Sequence, residues 1–393
     1  MKGLFRRETF AGFGPAGLSL SPEPMPLAMI RGRRAGLLRQ GVRERVPRLP
    51  GVYAMLDATG EIIYVGKARS LRSRLMSYFR PNSRDEKAGK IVAETRRIVW
   101  ERSPSEFGAL LRELELIRRW QPRWNVQGKP KRMRRVYICV GRSPAAYLFL
   151  APKATTRVQA CFGPVAGMKR AGEAVRRLND WYRLRDCPQS QEMVFADQRE
   201  LFPLPRTPGC IRHDIGNCVA PCAAACTQAE YAFHVGGAID FLEGRDRTPL
   251  EQLERRMNEA SVALEFERAA TLRDRLDNLT WLRNHLERVR ESSRESFVYR
   301  VEGADGPALW YLVRAGVARA VTHAPTDPVS RERASALVAE VFAREAVRGP
   351  VGLDDVDGLL LVSAWFRRHK EERKLSVQEA RTISSGTQTA SNV

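Results

Sequence analysis

Residues 50–80, PGVYAMLDATGEIIYVGKARSLRSRLMSYFR, decide how the front of this chain folds. Gly51-Val52-Tyr53 and, ten residues on, Tyr64-Val65-Gly66 are β-prone triplets that bracket the turn Asp57-Ala58-Thr59-Gly60. The pattern predicts a β-hairpin carrying both tyrosines. Gly66, beside Tyr64, marks a place where the backbone must come close to another group. Lys67 and Arg74 follow at helical spacing, and Arg69 to Phe79 reads as a helix that turns Leu71, Leu75 and Met76 inward. Further on, Ser103-Pro104-Ser105-Glu106 reads as a helix start, with a capping serine, proline at the first position and glutamate three residues on. That helix is expected to bury Phe107, Leu110, Leu111, Leu114 and Ile117 and to end at Pro122. Glu113 and Glu115 fall on opposite flanks, so only one can face a given cleft. A phenol, a guanidinium, an ammonium and one carboxylate suit hydrolysis of a phosphodiester. The carboxylate can hold a divalent metal, the cations stabilise charge on phosphate oxygens, and a phenol can take a proton from water.

At 393 residues the chain is too long for one ordinary domain. Its net charge of +21, from 66 basic and 45 acidic residues, points to a polyanionic partner such as nucleic acid. No apolar run approaches the roughly eighteen residues of a membrane span, so no membrane partner is expected. Five of the seven cysteines fall between 161 and 222, with another at 226. That clustering suits a metal site in a reducing cytoplasm better than a disulfide framework. The first 46 residues, rich in Gly, Pro and Arg, read as a disordered basic arm, with a later start at Met25 or Met29 as the plain alternative. The run KPKRMRR offers Lys129, Lys131, Arg132, Arg134 and Arg135 as phosphate contacts. It precedes an alternating strand from Val136 to Gly141, in which Cys139 is expected to be buried.

Residues 47–126 resemble a GIY-YIG nuclease domain, and specifically the N-terminal domain of the UvrC family, the nuclease of bacterial nucleotide excision repair. The resemblance is carried by the opening stretch, by ALLRELELIRRWQPRWNV at 109–126, and by the spacing of Lys67, Arg74, Tyr78, Glu113 and Asn125. It implies that Tyr64 is the general base and Tyr53 its hydrogen-bonding partner. Arg74 would stabilise the transition state, and Lys67 would lower the Tyr64 pKa or contact phosphate. Tyr78 would position the scissile strand, Glu113 would be the sole protein ligand of one Mg²⁺ or Mn²⁺, and Asn125 would brace the site.

The stretch 161–187, CFGPVAGMKRAGEAVRRLNDWYRLRDC, resembles the next section of UvrC. Cys210, Cys218 and Cys222 follow, and with Cys187 they make four thiolates whose spacing leaves zinc and iron–sulfur open. The resemblance implies a [4Fe-4S] cluster. The long gap between Cys187 and Cys210, with the spare Cys161 and Cys226, departs from the family pattern. His213 reads as an exposed loop residue. Gln228 to Glu243 looks helical, and Pro249 to Val289 reads as two helices. Within them ALEFERAATLRDRLDNL, 263–279, resembles the UVR motif through which UvrC pairs with UvrB. Leu264, Phe266, Leu272, Arg273 and Asp274 are its candidate contacts.

The expected architecture is a multidomain α/β (α+β) chain. It comprises the arm 1–46, the nuclease domain 47–126, a linker and cysteine-cluster region 127–245, the UVR-like hairpin 246–290, a small α/β unit 297–372 read as a shortened RNase H-like remnant, and a disordered tail 373–393. Asp305, Asp327, Asp354, Asp355 and Asp357 of the small unit sit where turns and caps favour aspartate. The resemblance therefore implies a shortened UvrC- or Cho-like endonuclease that makes only the 3′ incision in damaged double-stranded DNA held with UvrB. The alternatives are a non-catalytic DNA-binding adaptor docking on UvrB and a structural zinc protein.

Overall fold

Among the described residues, regular structure begins with strand β1 (Ala28–Arg31) and helix α1 (Ala35–Arg45), followed by the hairpin β2 (Gly51–Leu56) and β3 (Ile62–Ala68). Helices α2 (Leu71–Ser77) and α3 (Glu86–Glu94), strand β4 (Arg97–Arg102) and helix α4 (Glu106–Trp120) come next. The four strands form one antiparallel sheet in the order β1-β4-β2-β3. This computed structural model describes residues 10–20, 27–80, 86–125, 135–188, 190–198, 210–343 and 349–372. Two compact units divide the chain, the first comprising 1–132, 293–346 and 357–393 and the second 133–292 and 347–356.

All six residues of β2 are buried, because alternate side chains enter cores on opposite faces of the sheet. Tyr53 and Met55 join Ile63, Leu38, Val42, Leu71 and Leu75 on one side. Val52 and Ala54 join Val65, Ala109, Leu116 and Ile117 on the other. The turn forms as expected: Asp57 Oδ1 accepts from the Thr59 and Glu61 amides at 3.0 and 3.1 Å, and Gly60 takes φ +89°.

Residues 28–45 correct the expectation of a disordered arm. β1 pairs along the edge of β4, and α1 buries Leu38 and Val42, spaced i and i+4 among its arginines. Phe13, earlier still, is buried in the core beneath α4. Helix α4 also starts two residues later than its sequence pattern suggests. The cap is Ser105, whose hydroxyl accepts from the Gly108 amide at 2.9 Å. The face of α4 is corrected too. Leu110, Leu111 and Leu114 are only partly buried, while Arg112 is 7% exposed and donates to Glu101 and to the carbonyls of Gly14 and Pro15. A buried guanidinium holds its place only because each of these acceptors is present.

In the second unit, β5 (Arg135–Val140), β6 (Leu148–Ala151) and β7 (Ala160–Ala166) form an antiparallel sheet in the order β6-β5-β7. Helices α5 (Met168–Trp181), α6 (Ile211–Asp214), α7 (Gln228–Leu242), α8 (Thr248–Val262) and α9 (Phe266–Ser293) follow. One apolar cluster runs from Ile138 and Leu148 through Leu178 and Tyr231 to Leu282. A capping box of Thr227 and Glu230 starts α7. Leu264, at φ +60°, sits in the turn of the α8–α9 hairpin. Cys139 is buried as expected and faces Cys161 across the β5–β7 ladder, with their sulfurs 2.8 Å apart.

The chain ends its described part with β8 (Phe297–Val301), β9 (Leu309–Arg314), β10 (Val317–His323), α10 (Pro328–Ala343) and α11 (Leu353–Arg368). These three strands form a meander in the order β10-β9-β8. The small α/β unit does not stand apart: its sheet packs on α4 within the first unit. Phe107, fully buried, lies edge-on to Tyr299 and Tyr311 at 5.1 and 5.0 Å and against Trp365 at 5.4 Å. Ser105 Oγ and Tyr311 Oη share a 2.7 Å hydrogen bond. Asp327 serves local structure as read from sequence, its Oδ1 accepting from the Ser330 amide, whereas Asp305 and Asp357 reach across the first unit to pair with Arg102 and Arg118.

Candidate active site

The register of the hairpin builds the site. Tyr53 of β2 stands opposite Gly66 of β3, and Met55 opposite Tyr64, so both tyrosines lie on one face. A Cβ at position 66 would sit 2.5 Å from Tyr53 Oη, which is the close approach the glycine signalled. Tyr78, at the C-cap of α2, completes a triangle of rings whose centroids are 6.1–6.2 Å apart. Arg74, one turn earlier on α2, lies 5.3 Å from the Tyr78 ring. From α4, Glu113 Oε1 accepts from the Lys67 amide at 3.0 Å. Asn125 clamps the middle of β3, accepting from Val65 N–H at 2.9 Å and donating to Val65 C=O at 2.8 Å. A cleft of about 810 Å³ is lined by Tyr53, Tyr64, Lys67, Arg74 and Glu113, with Arg48, Arg69, Ser70, Ser73 and Ser77 at its sides.

Burial sets the electrostatics. It pushes the Tyr53 phenol well above its usual value of 10, helped by the neighbouring phenols of Tyr78 and Tyr64. Tyr64 is likewise raised by burial and by Tyr78, with Glu113 adding and Arg74 opposing. Burial also raises Glu113, against the pull of the Lys67 amide and of the Lys67 and Arg74 charges. Arg74 is held more firmly protonated: its partial desolvation is outweighed by Tyr53, Tyr78 and Tyr64.

Two expected roles change. Tyr53 bonds Tyr78 at 2.9 Å rather than Tyr64. Lys67 has a different partner: its ammonium bonds Glu106 at 2.8 Å and lies 5.8 Å from the Trp365 ring, and the cation that mainly opposes the Tyr64 shift is Arg74. Sequence reading missed Glu106 as a partner, although it precedes Glu113 by two helical turns and so shares its face. Nothing local could have announced Trp365, which arrives from α11.

The donor set bears on metals. Among the described residues Glu113 is the single carboxylate lining the cleft. One carboxylate with water and substrate phosphate suits a hard, six-coordinate cation such as Mg²⁺, and a cation would relieve the burial of that charge. The cysteine region behaves otherwise. Cys222 feels the charges of Cys187 and Cys210, and Cys218 those of Cys222 and Cys187, so the four are neighbours. Yet among the described residues no set of three or more His, Cys, Asp or Glu side chains is arranged to hold a metal ion. The cluster that the resemblance implied therefore has no support in the arrangement of the described residues, and Cys226 is packed into the apolar core.

Residues 49–126 match the UvrC-like GIY-YIG domain, 136–241 the UvrC/Cho excinuclease middle domain, and 247–279 the UvrB/uvrC motif. The chain belongs to the UvrC family. It is 35% identical over 246 residues to UvrABC system protein C of Chelativorans sp. (strain BNC1), covering 63% of this chain and 36% of that protein. With UvrABC system protein C of Alcanivorax borkumensis it shares 37% over 230 residues, covering 58% of this chain and 36% of that one. The chain thus spans about a third of the length of the curated UvrC relatives it matches. The magnesium-bound GIY-YIG N-terminal endonuclease domain of UvrC from Thermotoga maritima is 34% identical, covering 23% of this chain and 96% of that one with a TM-score of 0.21.

The remaining UvrC-like features fall unevenly. Lys129, Lys131, Arg132 and Arg134 lie outside the described residues, and Arg135 opens β5. At the tip of the α8–α9 hairpin, Val262, Leu264 and Phe266 are 85%, 70% and 67% exposed. Arg273 and Asp274 are exposed too, with a 3.4 Å contact between them. Leu272 corrects the proposed docking seam: it is 8% exposed and belongs to the core of its own unit. Among the described residues no helix is long and apolar enough to cross a membrane.

Proposed function

We propose that this chain is a metal-dependent DNA endonuclease of nucleotide excision repair, acting in the cytoplasm on the 3′ side of a lesion in DNA held with UvrB. One observation carries the reading: within a UvrC-like GIY-YIG domain, one half-buried carboxylate, two phenols, three guanidinium groups and an ammonium line a single cleft among the described residues. Held by Glu113, Mg²⁺ or Mn²⁺ would supply Lewis-acid stabilisation to the phosphate oxygens. Tyr64 takes the proton of the attacking water, and Arg74 donates to oxygens that gain charge in the transition state. Lys67 contacts phosphate beside its bond to Glu106. Tyr53 and Tyr78, bonded to one another, hold the strand against the cleft floor, and Asn125 keeps β3 in register beneath them. An end-labelled lesion duplex incubated with UvrA, UvrB and Mg²⁺ tests this. A single 3′-side nick that disappears with EDTA is expected, and an intact strand with all components present rejects the reading.

The UVR-like hairpin serves as the UvrB contact through its tip, where three large apolar side chains face solvent with no packing role in their own unit. Phe266→Ala is expected to weaken binding to UvrB by about tenfold or more, as loss of an aromatic anchor does. Its circular dichroism should stay unchanged, because the ring is exposed. Unaltered affinity would return the hairpin to a purely structural role.

A further inference from the structure

The stretch 31–48, RGRRAGLLRQGVRERVPR, contains seven arginines and one acidic residue, Glu44. The family match begins at 49, so it does not account for this segment. Arg33, Arg34, Arg39, Arg43, Arg45 and Arg48 are all exposed. None of the six has a carboxylate partner among the described residues, and Glu44 instead accepts from Gln40 at 2.9 Å. The ridge is rigid on its inner side. Leu38 and Val42 anchor α1 in the core, and the following turn is tied to α2: Val46 and Pro47 carbonyls accept from Arg72, and Leu49 from the Leu71 amide. Arg48 itself lines the cleft that holds Arg74 and Glu113.

We infer that α1 and Arg48 form a phosphate-binding ridge that carries the DNA duplex into the cleft. Its chemistry is that of backbone recognition: exposed guanidinium groups, three of them (Arg39, Arg43 and Arg45) on α1 itself, beside one amide, Gln40, that already donates to Glu44. Eleven residues of helix extend about 16 Å, enough to face several phosphates of a duplex that carries a charge every ~1.7 Å. Arg39 and Arg43, one turn apart, share a flank. Like-charge crowding of this kind is unfavourable in the free protein, and a polyanion relieves it. This inference rests on the nuclease reading for its destination but not for its measurement.

The test is binding of a lesion-free 30-base-pair duplex in EDTA, followed by fluorescence anisotropy between 50 and 200 mM salt. Arg34→Gln/Arg39→Gln/Arg43→Gln is expected to raise Kd at least tenfold and to flatten the log–log salt slope by about two to three, near 0.9 per lost phosphate contact. Single-turnover nicking at saturating DNA should be unchanged, since none of the three lines the cleft. The matching lysine triple should restore the slope, separating lost charge from lost fold. An unchanged Kd and slope in the glutamine triple would overturn the inference and leave the ridge to an acidic protein surface. A wild-type protein that binds with a steep slope, loses it in the triple, and never nicks would sink the nuclease reading and sustain this one.

Discussion

Alanine at position 113 lowers the nicking rate about 10²-fold or more at every Mg²⁺ concentration, with the protein still folded. The rate falls because Glu113 is the single carboxylate among the described residues that line the cleft, and none of the others offers a divalent cation a carboxylate in its place. The fold survives because the changes in stability oppose one another. Removing the carboxylate leaves the Lys67 amide without its 3.0 Å acceptor, a loss of about 1 kcal/mol. It also removes a charge that burial disfavours, as the raised carboxyl pKa records, and alanine suits a helix interior. Thermal denaturation in EDTA alongside the nicking assay checks both halves. Wild-type turnover in Glu113→Ala would show that the cation, if needed, is held elsewhere.

Tyr64→Phe is expected to cost a similar factor and to change the pH profile. Burial and Tyr78 hold the Tyr64 phenol above 10, so the phenolate fraction at pH 7 is below about 10⁻³. A base that must ionise gains a factor of about ten per pH unit below its pKa, so wild-type nicking should climb roughly 10²-fold from pH 7 to pH 9 without a plateau. The phenylalanine variant should be slow and flat over the same range. For stability the sign is different. The folded pKa exceeds the unfolded one, so the contribution of the neutral phenol is fully present below pH ~10 and is lost only as pH rises towards the folded value. Unfolding measured between pH 7 and 9 should therefore show no Tyr64-dependent trend, and the rise in rate cannot come from a stabilised fold. A flat wild-type profile would assign the base elsewhere.

Much of the site was legible because its geometry follows from local rules. Alternation put Tyr53 and Tyr64 on one face of a hairpin, Gly66 marked the crossing of a ring over backbone, and helical spacing brought Glu113 rather than Glu115 to the cleft, with Glu115 pairing Arg112 instead. The amphipathic hairpin of α8 and α9 and the buried Cys139 were legible for the same reason. Helix α1 was hidden by composition: its two core residues are outnumbered by arginines, and a short strand such as β1 is defined by the edge it pairs with, here β4. The start of α4 moved to Ser105 because two serines with similar capping chemistry compete, and Tyr311, some two hundred residues later, bonds the one that wins.

Sequence by itself determined the order of elements around the cleft and the chemical identity of its lining, since both depend on periodicity and on residues close in the chain. Only the tertiary structure decided which charges and phenols meet: Lys67 with Glu106, Tyr53 with Tyr78, and Arg112 with Glu101. It also decided that Leu272 belongs to the core and that the last sheet closes on Phe107. Those choices turn on desolvation and packing between segments far apart in sequence. The free energy of a charge or a ring in a folded protein is set by everything that surrounds it, and periodicity carries no information about neighbours that arrive from elsewhere in the chain.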